Sequence, residues 1–175
     1  CEEESRTDSF VQASNFNCPG QIVIAGDKAA VEHASDALIT AGAKRIIPLA
    51  VSAPFHTRLL RPAGAIFAPL LRAASWQIPK LTVISNVDAS IYQSIEQMQE
   101  LLERQVSEPI EFAAGIKRLL DEGFTHFLEV GPGSSLGAMV KRISSQAVIY
   151  QATAADQIGR VAEQIQREIG GGLVE

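Results

Sequence analysis

Hydrophobic positions along this chain follow two alternating rhythms, one of two residues and one near 3.6, and the alternation lays out its elements. Phe10–Phe16 (FVQASNF) has rough period-two patterning and leads to a turn at Cys18-Pro19-Gly20, after which Gln21–Ala25 (QIVIA) reads as a second strand. Gly26-Asp27 then starts a helix with Asp27 at its N-cap. Val31, Ala34, Leu38 and Ala41 give that helix one apolar face, and Gly42 suits its C-terminal end. The apolar run Ile46–Val51 predicts another strand. A helix pattern begins near Arg58, where Leu59, Leu60, Ala63, Ile66, Phe67, Leu70 and Leu71 form a broad stripe suited to lying on a sheet.

The same reading continues through the second half. Leu81–Ser85 predicts a buried-type strand opened by Pro79, and Ser94 with Gln97 forms a capping-box pattern for a helix through about Val106. Pro109 suits the first turn of a helix whose Phe112, Ile116, Leu119 and Leu120 face one way and which stops at Gly123. A strand over Phe124–Val130, the glycine loop Gly131-Pro132-Gly133, a short helix, a strand over Val148–Gln151 and a last helix from Asp156 complete the pattern. Strands alternating with helices imply an α/β architecture with much parallel pairing.

Composition narrows the classes. A chain of 175 residues with 46% hydrophobic and 20% charged residues is globular material of about one domain with a real core. The net charge of −5 argues against nucleic acid as the main partner, and the pairs Lys44-Arg45, Lys117-Arg118 and Lys141-Arg142 read as solvated faces or helix ends. Cys1 and Cys18 show no metal spacing, which fits a reduced, cytoplasmic compartment. No apolar run approaches the roughly 18 residues that span a bilayer, so no membrane role is expected. Cys1 followed at once by Glu2-Glu3-Glu4 does not look like a natural start, and the chain reads as truncated.

Candidate chemistry centres on His56 in Ala53-Pro54-Phe55-His56-Thr57, where a strand-like run gives way to a helix pattern and a titratable ring is placed to move protons. His33 reads as a solvated helix-face residue and His126 as a satisfied strand residue. Gly133-Ser134-Ser135-Leu136-Gly137 fits G-x-S-x-G by spacing, between a strand and a helix. Two observations count against Ser135 as a nucleophile. Gly131-Pro132-Gly133 intervenes after Val130, and no histidine follows Ser135 as the hydrolase order requires. The plainer reading is a glycine loop that opens a helix or brings backbone close to a site. Neither a metal constellation, a P-loop nor a dinucleotide fingerprint occurs.

Five segments in order resemble one family, the bacterial malonyl-CoA:acyl-carrier-protein transacylases. They are Ala13–Gly26 (ASNFNCPGQIVIAG), Ala41–Arg45 with Val51–Thr57, Ile84–Ala89, Arg104–Val106 with Pro109, and Phe127–Gly133 (FLEVGPG). The similarity runs from about residue 1 to about residue 153. It implies a ping-pong transfer in which an elbow serine attacks the malonyl-CoA thioester and a histidine, matching His56, serves as base and then acid. The backbone carbonyl matching Gln105 holds that ring in one tautomer, and Asn15, Asn17 and Asn86 match polar supporting positions. Phe55 matches what malonyl-selective relatives carry before the histidine. No cofactor is implied; the substrates and partners are malonyl-CoA and phosphopantetheinylated acyl carrier protein, with Arg58, Arg61 and Arg72 as candidate docking charges.

The resemblance also implies an architecture: residues 1–50 as most of a small ferredoxin-like subdomain, and residues 51–175 as the C-terminal part of an α/β-hydrolase-like core. G-H-S-x-G, the arginine that pairs with the malonyl carboxylate and the glutamine loop of the oxyanion hole are all missing, so the chain supplies the histidine but not the serine. On this reading the isolated chain is inactive and poorly soluble or partly ordered, in fatty acid biosynthesis or, alternatively, a polyketide pathway. A non-catalytic carrier-binding module and a free-standing hydrolase using Ser135 and His56 are the competing readings.

Overall fold

Strands β1 (Val11–Cys18) and β2 (Gln21–Gly26) pair antiparallel from Val11 opposite Gly26 to Cys18 opposite Gln21, with irregular register between Ala13 and Asn15 and between Phe16 and Cys18. Pro19-Gly20 makes the turn, with Gly20 at φ 74°. Buried Cys18 closes that end, its thiol donating to Gln21 Oε1 at 3.4 Å. The other end is pinned by Asp27: its carboxylate accepts from the Phe10 amide, and its own amide donates to Phe10 O, each at 2.8 Å. Asp27 does stand at the N-cap of α1 (Lys28–Thr40), but its side chain binds Phe10, just ahead of β1, and makes no cap bond to the helix. The alanines of α1 allow close approach, and Ala30 and Ala34 pack on Val11 with Ile24 and Val31. At the far end Gly42, φ 98°, donates to Ile39 O and Ala43 donates to Leu38 O, the paired closure that the glycine there predicts.

The computed structural model describes residues 9–170 and comprises two compact units, one reaching Gly115 and one starting at Ile116. In the first unit two expected strands need correction. Ile46–Val51 is not a strand, and Leu81–Ser85 contributes only a local pairing across a turn, with Ile84 bridged to Ile91 and the Tyr92 amide donating to Val83 O at 3.1 Å. Apolar content signals a tendency to be buried, but a strand also needs a neighbouring ladder, and none reaches these runs among the described residues. Ile47, Leu49, Val51 and Leu81 are accordingly exposed.

The helix after His56 is a 3-10 turn, Arg58–Leu60, followed by α2 (Arg61–Ala73). Its expected sheet-facing stripe is corrected too. The buried side is Gly64, Ala68 and Leu71, packed toward α3 (Ile95–Gln105) with its buried Met98 and Leu101, while Ile66 is 75% and Leu70 65% exposed. Ser94 caps α3 by accepting from the Gln97 amide at 3.1 Å, and the Gln97 side chain reaches back to the Gln93 amide at 2.8 Å. Pro109 does not open a helix: α4 (Phe112–Asp121) begins three residues later. The reason is Ile110, which donates to Ser14 O at 2.9 Å and accepts from Phe16 N at 2.8 Å, and so lies extended beside β1.

In the second unit β3 (His126–Val130) pairs in parallel with β4 (Val148–Ala152), His126 opposite Val148 through Val130 opposite Ala152. The crossover is α5 (Ser135–Ile143), and a 3-10 turn, Ala155–Gln157, leads into α6 (Ile158–Ile169). Period-two alternation separates the two faces. Tyr150 and Ala152 meet Val161 of α6, with Val148 and Ile165 packed around them, while Ile149 and Gln151 lie beneath α5. Gly137 of α5 sits so low that an added Cβ would stand 2.6 Å from Ile149 Cγ2. The mixed α/β class holds, but among the described residues the only parallel pair of strands is this one, beside the isolated parallel bridge of Asn15 with Ile110; the other strand pair is antiparallel.

Candidate functional site

His56 is held in an unusual backbone state. Its φ is 60°, the left-handed region that costs a non-glycine residue about 1–2 kcal/mol. Surrounding bonds over-determine that state. The next residue, Thr57, is fully buried and its hydroxyl donates to Pro54 O at 2.7 Å, which tightens the turn before the helix. The His56 amide donates to Val106 O at 3.3 Å, and the His56 carbonyl accepts from Gln12 Nε2 at 3.2 Å. Ring Nδ1 lies 2.8 Å from Gln105 O.

That last contact fixes the proton. A carbonyl oxygen only accepts, so Nδ1 carries the hydrogen and Nε2 keeps its lone pair. The ring is half-buried and its free nitrogen is the one able to act as a base. Gln105 is the last residue of α3, and its carbonyl belongs to the helix's unsatisfied C-terminal acceptors. The site can therefore take a proton, hold it and return it.

The other expected site residues are more dispersed. Asn15, half-buried on β1, accepts from the Ser14 hydroxyl at 2.9 Å and pairs through its backbone with Ile110; Asn17 is half-buried on the same strand. Asn86 is exposed in a tight turn, where its carbonyl accepts from the Glu111 amide at 2.6 Å. None of the three is hydrogen-bonded to the His56 ring among the described residues. In the same turn burial pushes the Asp88 carboxyl up, but the Ser90 amide, the Ser90 and Ser85 side chains and the Arg104 charge together hold it below its usual range. Phe55 is exposed beside the histidine, and Arg58 sits 4.0 Å over the Phe10 ring. Of the two residues that grip the His56 backbone, Gln12 carries no signal in the sequence, being an ordinary strand glutamine, and Val106 enters only within the Arg104–Val106 segment with no role of its own.

The remaining candidates take structural places. His33 is exposed on α1; His126 is exposed, contacts Thr125 Oγ1 at 2.9 Å and stacks on Tyr150. Ser135 is the exposed first residue of α5. The amides that follow it are already engaged, because Glu129 accepts from Leu136 N at 3.0 Å and Gly137 N at 2.9 Å, and from Gln151 Nε2 at 3.1 Å. The Gly137 bond is the main influence that holds the Glu129 carboxyl below its ordinary range. The glycine loop thus opens a helix whose N-terminus is filled by the chain's own carboxylate, a role for Glu129 that sequence reasoning missed. Among the described residues no group of three or more His, Cys, Asp or Glu is placed to hold a metal ion, and no helix is long and apolar enough to cross a membrane.

Known proteins resemble the chain throughout most of its length. No family model matches it. The malonyl CoA-acyl carrier protein transacylase of Staphylococcus aureus (strain COL) is 35% identical over 144 residues, 82% of this chain and 47% of that protein. Its counterpart in Bacillus subtilis (strain 168) is 42% identical over 136 residues, 78% of this chain and 43% of that protein. Among solved structures, a malonyl-transacylase in complex with a type II polyketide acyl-carrier protein superposes with a TM-score of 0.88 at 37% identity, covering 93% of this chain and 52% of that one. The chain spans about half the length of the curated relatives it matches.

Proposed function

Because this chain is a relative of the malonyl-CoA:acyl-carrier-protein transacylases over about half of their length, we propose that it carries the general-base half of a malonyl-transfer site. The observation that carries this reading is the 2.8 Å contact between His56 Nδ1 and Gln105 O, which leaves Nε2 as the free base. In the transfer, a serine hydroxyl supplied by sequence outside these 175 residues gives its proton to Nε2 as its oxygen attacks the malonyl thioester. The tetrahedral intermediate collapses, the C–S bond breaks, and Nε2–H protonates the departing CoA thiolate. The phosphopantetheine thiol of acyl carrier protein then gives its proton to Nε2 and attacks the serine ester, and that proton returns to the serine oxygen. His56 is base and acid in turn, and Gln105 fixes its tautomer by a backbone carbonyl where a triad would use a carboxylate.

Asn15, Asn17 and Asn86 are supporting residues of this site, with Phe55 favouring the unbranched malonyl unit. The pathway is fatty acid synthesis. The polyketide alternative draws on the polyketide carrier bound to one solved relative. The β1–β2 hairpin under α1 is consistent with a ferredoxin-like subdomain through residue 50, and the β3–α5–β4–α6 succession with the C-terminal part of a hydrolase-like core in residues 51–175.

Transfer of labelled malonyl from CoA to carrier protein tests the reading. We expect no transfer by this chain alone, transfer by a polypeptide that carries it behind a G-H-S-x-G segment, and none by that polypeptide with His56→Ala. An inactive extended polypeptide that still binds carrier protein would overturn the reading in favour of a non-catalytic carrier-binding module.

A further inference from the structure

The His56 carbonyl and the Arg58 amide flank one side chain, that of Gln12. Its Nε2 donates to His56 O at 3.2 Å, and its Oε1 accepts from Arg58 N at 3.4 Å. One amide therefore spans both ends of the three-residue segment that contains the left-handed His56 and the fully buried Thr57. The task requires a donor and an acceptor on the same short head group, a combination an amide has and an ionised carboxylate lacks. Phe10, the residue just ahead of β1, supplies a second hold, since its ring is covered by the Arg58 guanidinium.

From this geometry we infer that Gln12 is a positioning residue for His56: by clamping the backbone directly after the histidine, on either side of Thr57, it holds Nδ1 against Gln105 O and so keeps Nε2 free as the base. The inference rests on the reading of His56 as general base, but its mechanism is conformational. A left-handed histidine persists only while its neighbours over-determine it. Two of its anchors, Gln105 and Val106, come from the end of α3, and Gln12 is the anchor from the opposite side, the hairpin. With Gln12 shortened, the carbonyl of His56 loses its partner, the backbone relaxes away from φ 60°, and the ring is released from Gln105 O to take either tautomer.

Nitrogen-15 NMR of the ring nitrogens in the histidine-labelled serine-bearing polypeptide reads this without any acyl substrate, the His56 signals being identified by their loss in His56→Ala and His33 and His126 serving as references. In the parent polypeptide His56 should show a protonated Nδ1 and an unprotonated Nε2 in its neutral form. In Gln12→Ala the ratio of the two tautomers should move toward Nε2–H by about five-fold, the weight of one net hydrogen bond. Gln12→Glu keeps the acceptor and the side-chain length but loses the donor at neutral pH, and should show the same shift with the fold preserved, which covers a failure of Gln12→Ala to fold. In the same polypeptide both variants should lower kcat and leave KM for malonyl-CoA within two-fold.

An unchanged tautomer ratio in a folded Gln12→Glu polypeptide would overturn the inference, whatever happens to stability. A merely structural glutamine would lower the melting temperature and leave the ring nitrogens alone. A shifted ratio in a polypeptide that transfers no malonyl would instead uphold the positioning role and count against the transfer reading.

Discussion

Two loops that precede helices in this protein are built on opposite plans. The loop at His56 is held from afar: Gln12 lies 44 residues upstream of it and Gln105 49 residues downstream. The loop at Gly131-Pro132-Gly133 is held from nearby, by Glu129 reaching seven and eight residues ahead to the amides of Leu136 and Gly137. The first leaves a reactive nitrogen unsatisfied and spends several contacts on keeping it so. The second satisfies its own polar groups, including the helix N-terminus that would otherwise attract an anion. A site that must bind or react keeps an open valence and pays with long-range support; a structural junction closes on itself.

The difference can be broken most sharply at His56. In a serine-bearing polypeptide, His56→Ala should cut malonyl transfer by about 10²–10⁴-fold, the usual worth of a general acid–base group, with little change in the melting curve. Steady-state transfer and calorimetry on the same preparation check both halves. At the glycine loop the largest expected effect is on stability. Gly137→Ala places a Cβ 2.6 Å from Ile149 Cγ2 and 3.1 Å from Glu129 Oε2, so the overpacking penalty of about 1–3 kcal/mol should outweigh the better helix propensity of alanine. Denaturant titration would show this as a lower midpoint, and an unchanged midpoint would mean that α5 can lift off its sheet.

Glu129→Gln is a milder probe of the same loop. Its bonds are partly solvent-screened, so the expected loss is about 0.5–1 kcal/mol. Because the folded carboxyl is held below its unfolded range, its contribution is full above the ordinary glutamate range and disappears as pH falls through the lower folded value. The parent and Glu129→Gln chains should therefore differ in midpoint at neutral pH and converge in acid. Smallest of all, Ser135→Ala should leave transfer within two-fold, because that serine only begins a helix. Loss of transfer in Ser135→Ala would reverse the assignment of the two loops.

The sequence made the self-closing parts legible and the long-range parts only in outline. The β1–β2 hairpin, the α1 closure at Gly42, the Ser94 cap, and the order β3–α5–β4–α6 all rest on contacts within a few residues or on simple periodicity. Ile46–Val51 and Leu81–Ser85 went astray because hydrophobicity marks a segment for burial without naming its neighbour. The stripe on α2 misled for the same reason: its small residues Gly64 and Ala68, not its large ones, meet α3. Pro109 stood in an extended bridge that only the fold reveals, through Ser14 and Phe16. At the site itself, His56 stood out because it follows Pro54 between an apolar run read as a strand and a helix pattern, although that run is not a strand. The backbone grip of Gln12 and Val106 was invisible, since one partner is a carbonyl and the other a side chain with no distinctive pattern.

Cys18 gives the hairpin a clock of its own. Its thiol is buried at the turn, so a reagent in solution meets it only in the moments when the end of the ladder parts. Under conditions where reclosing outpaces reaction, the rate of modification, resolved by peptide from that of Cys1, measures how often the strands separate. β1 also bears Gln12, so the same measurement reports the lifetime of the platform on which His56 is mounted.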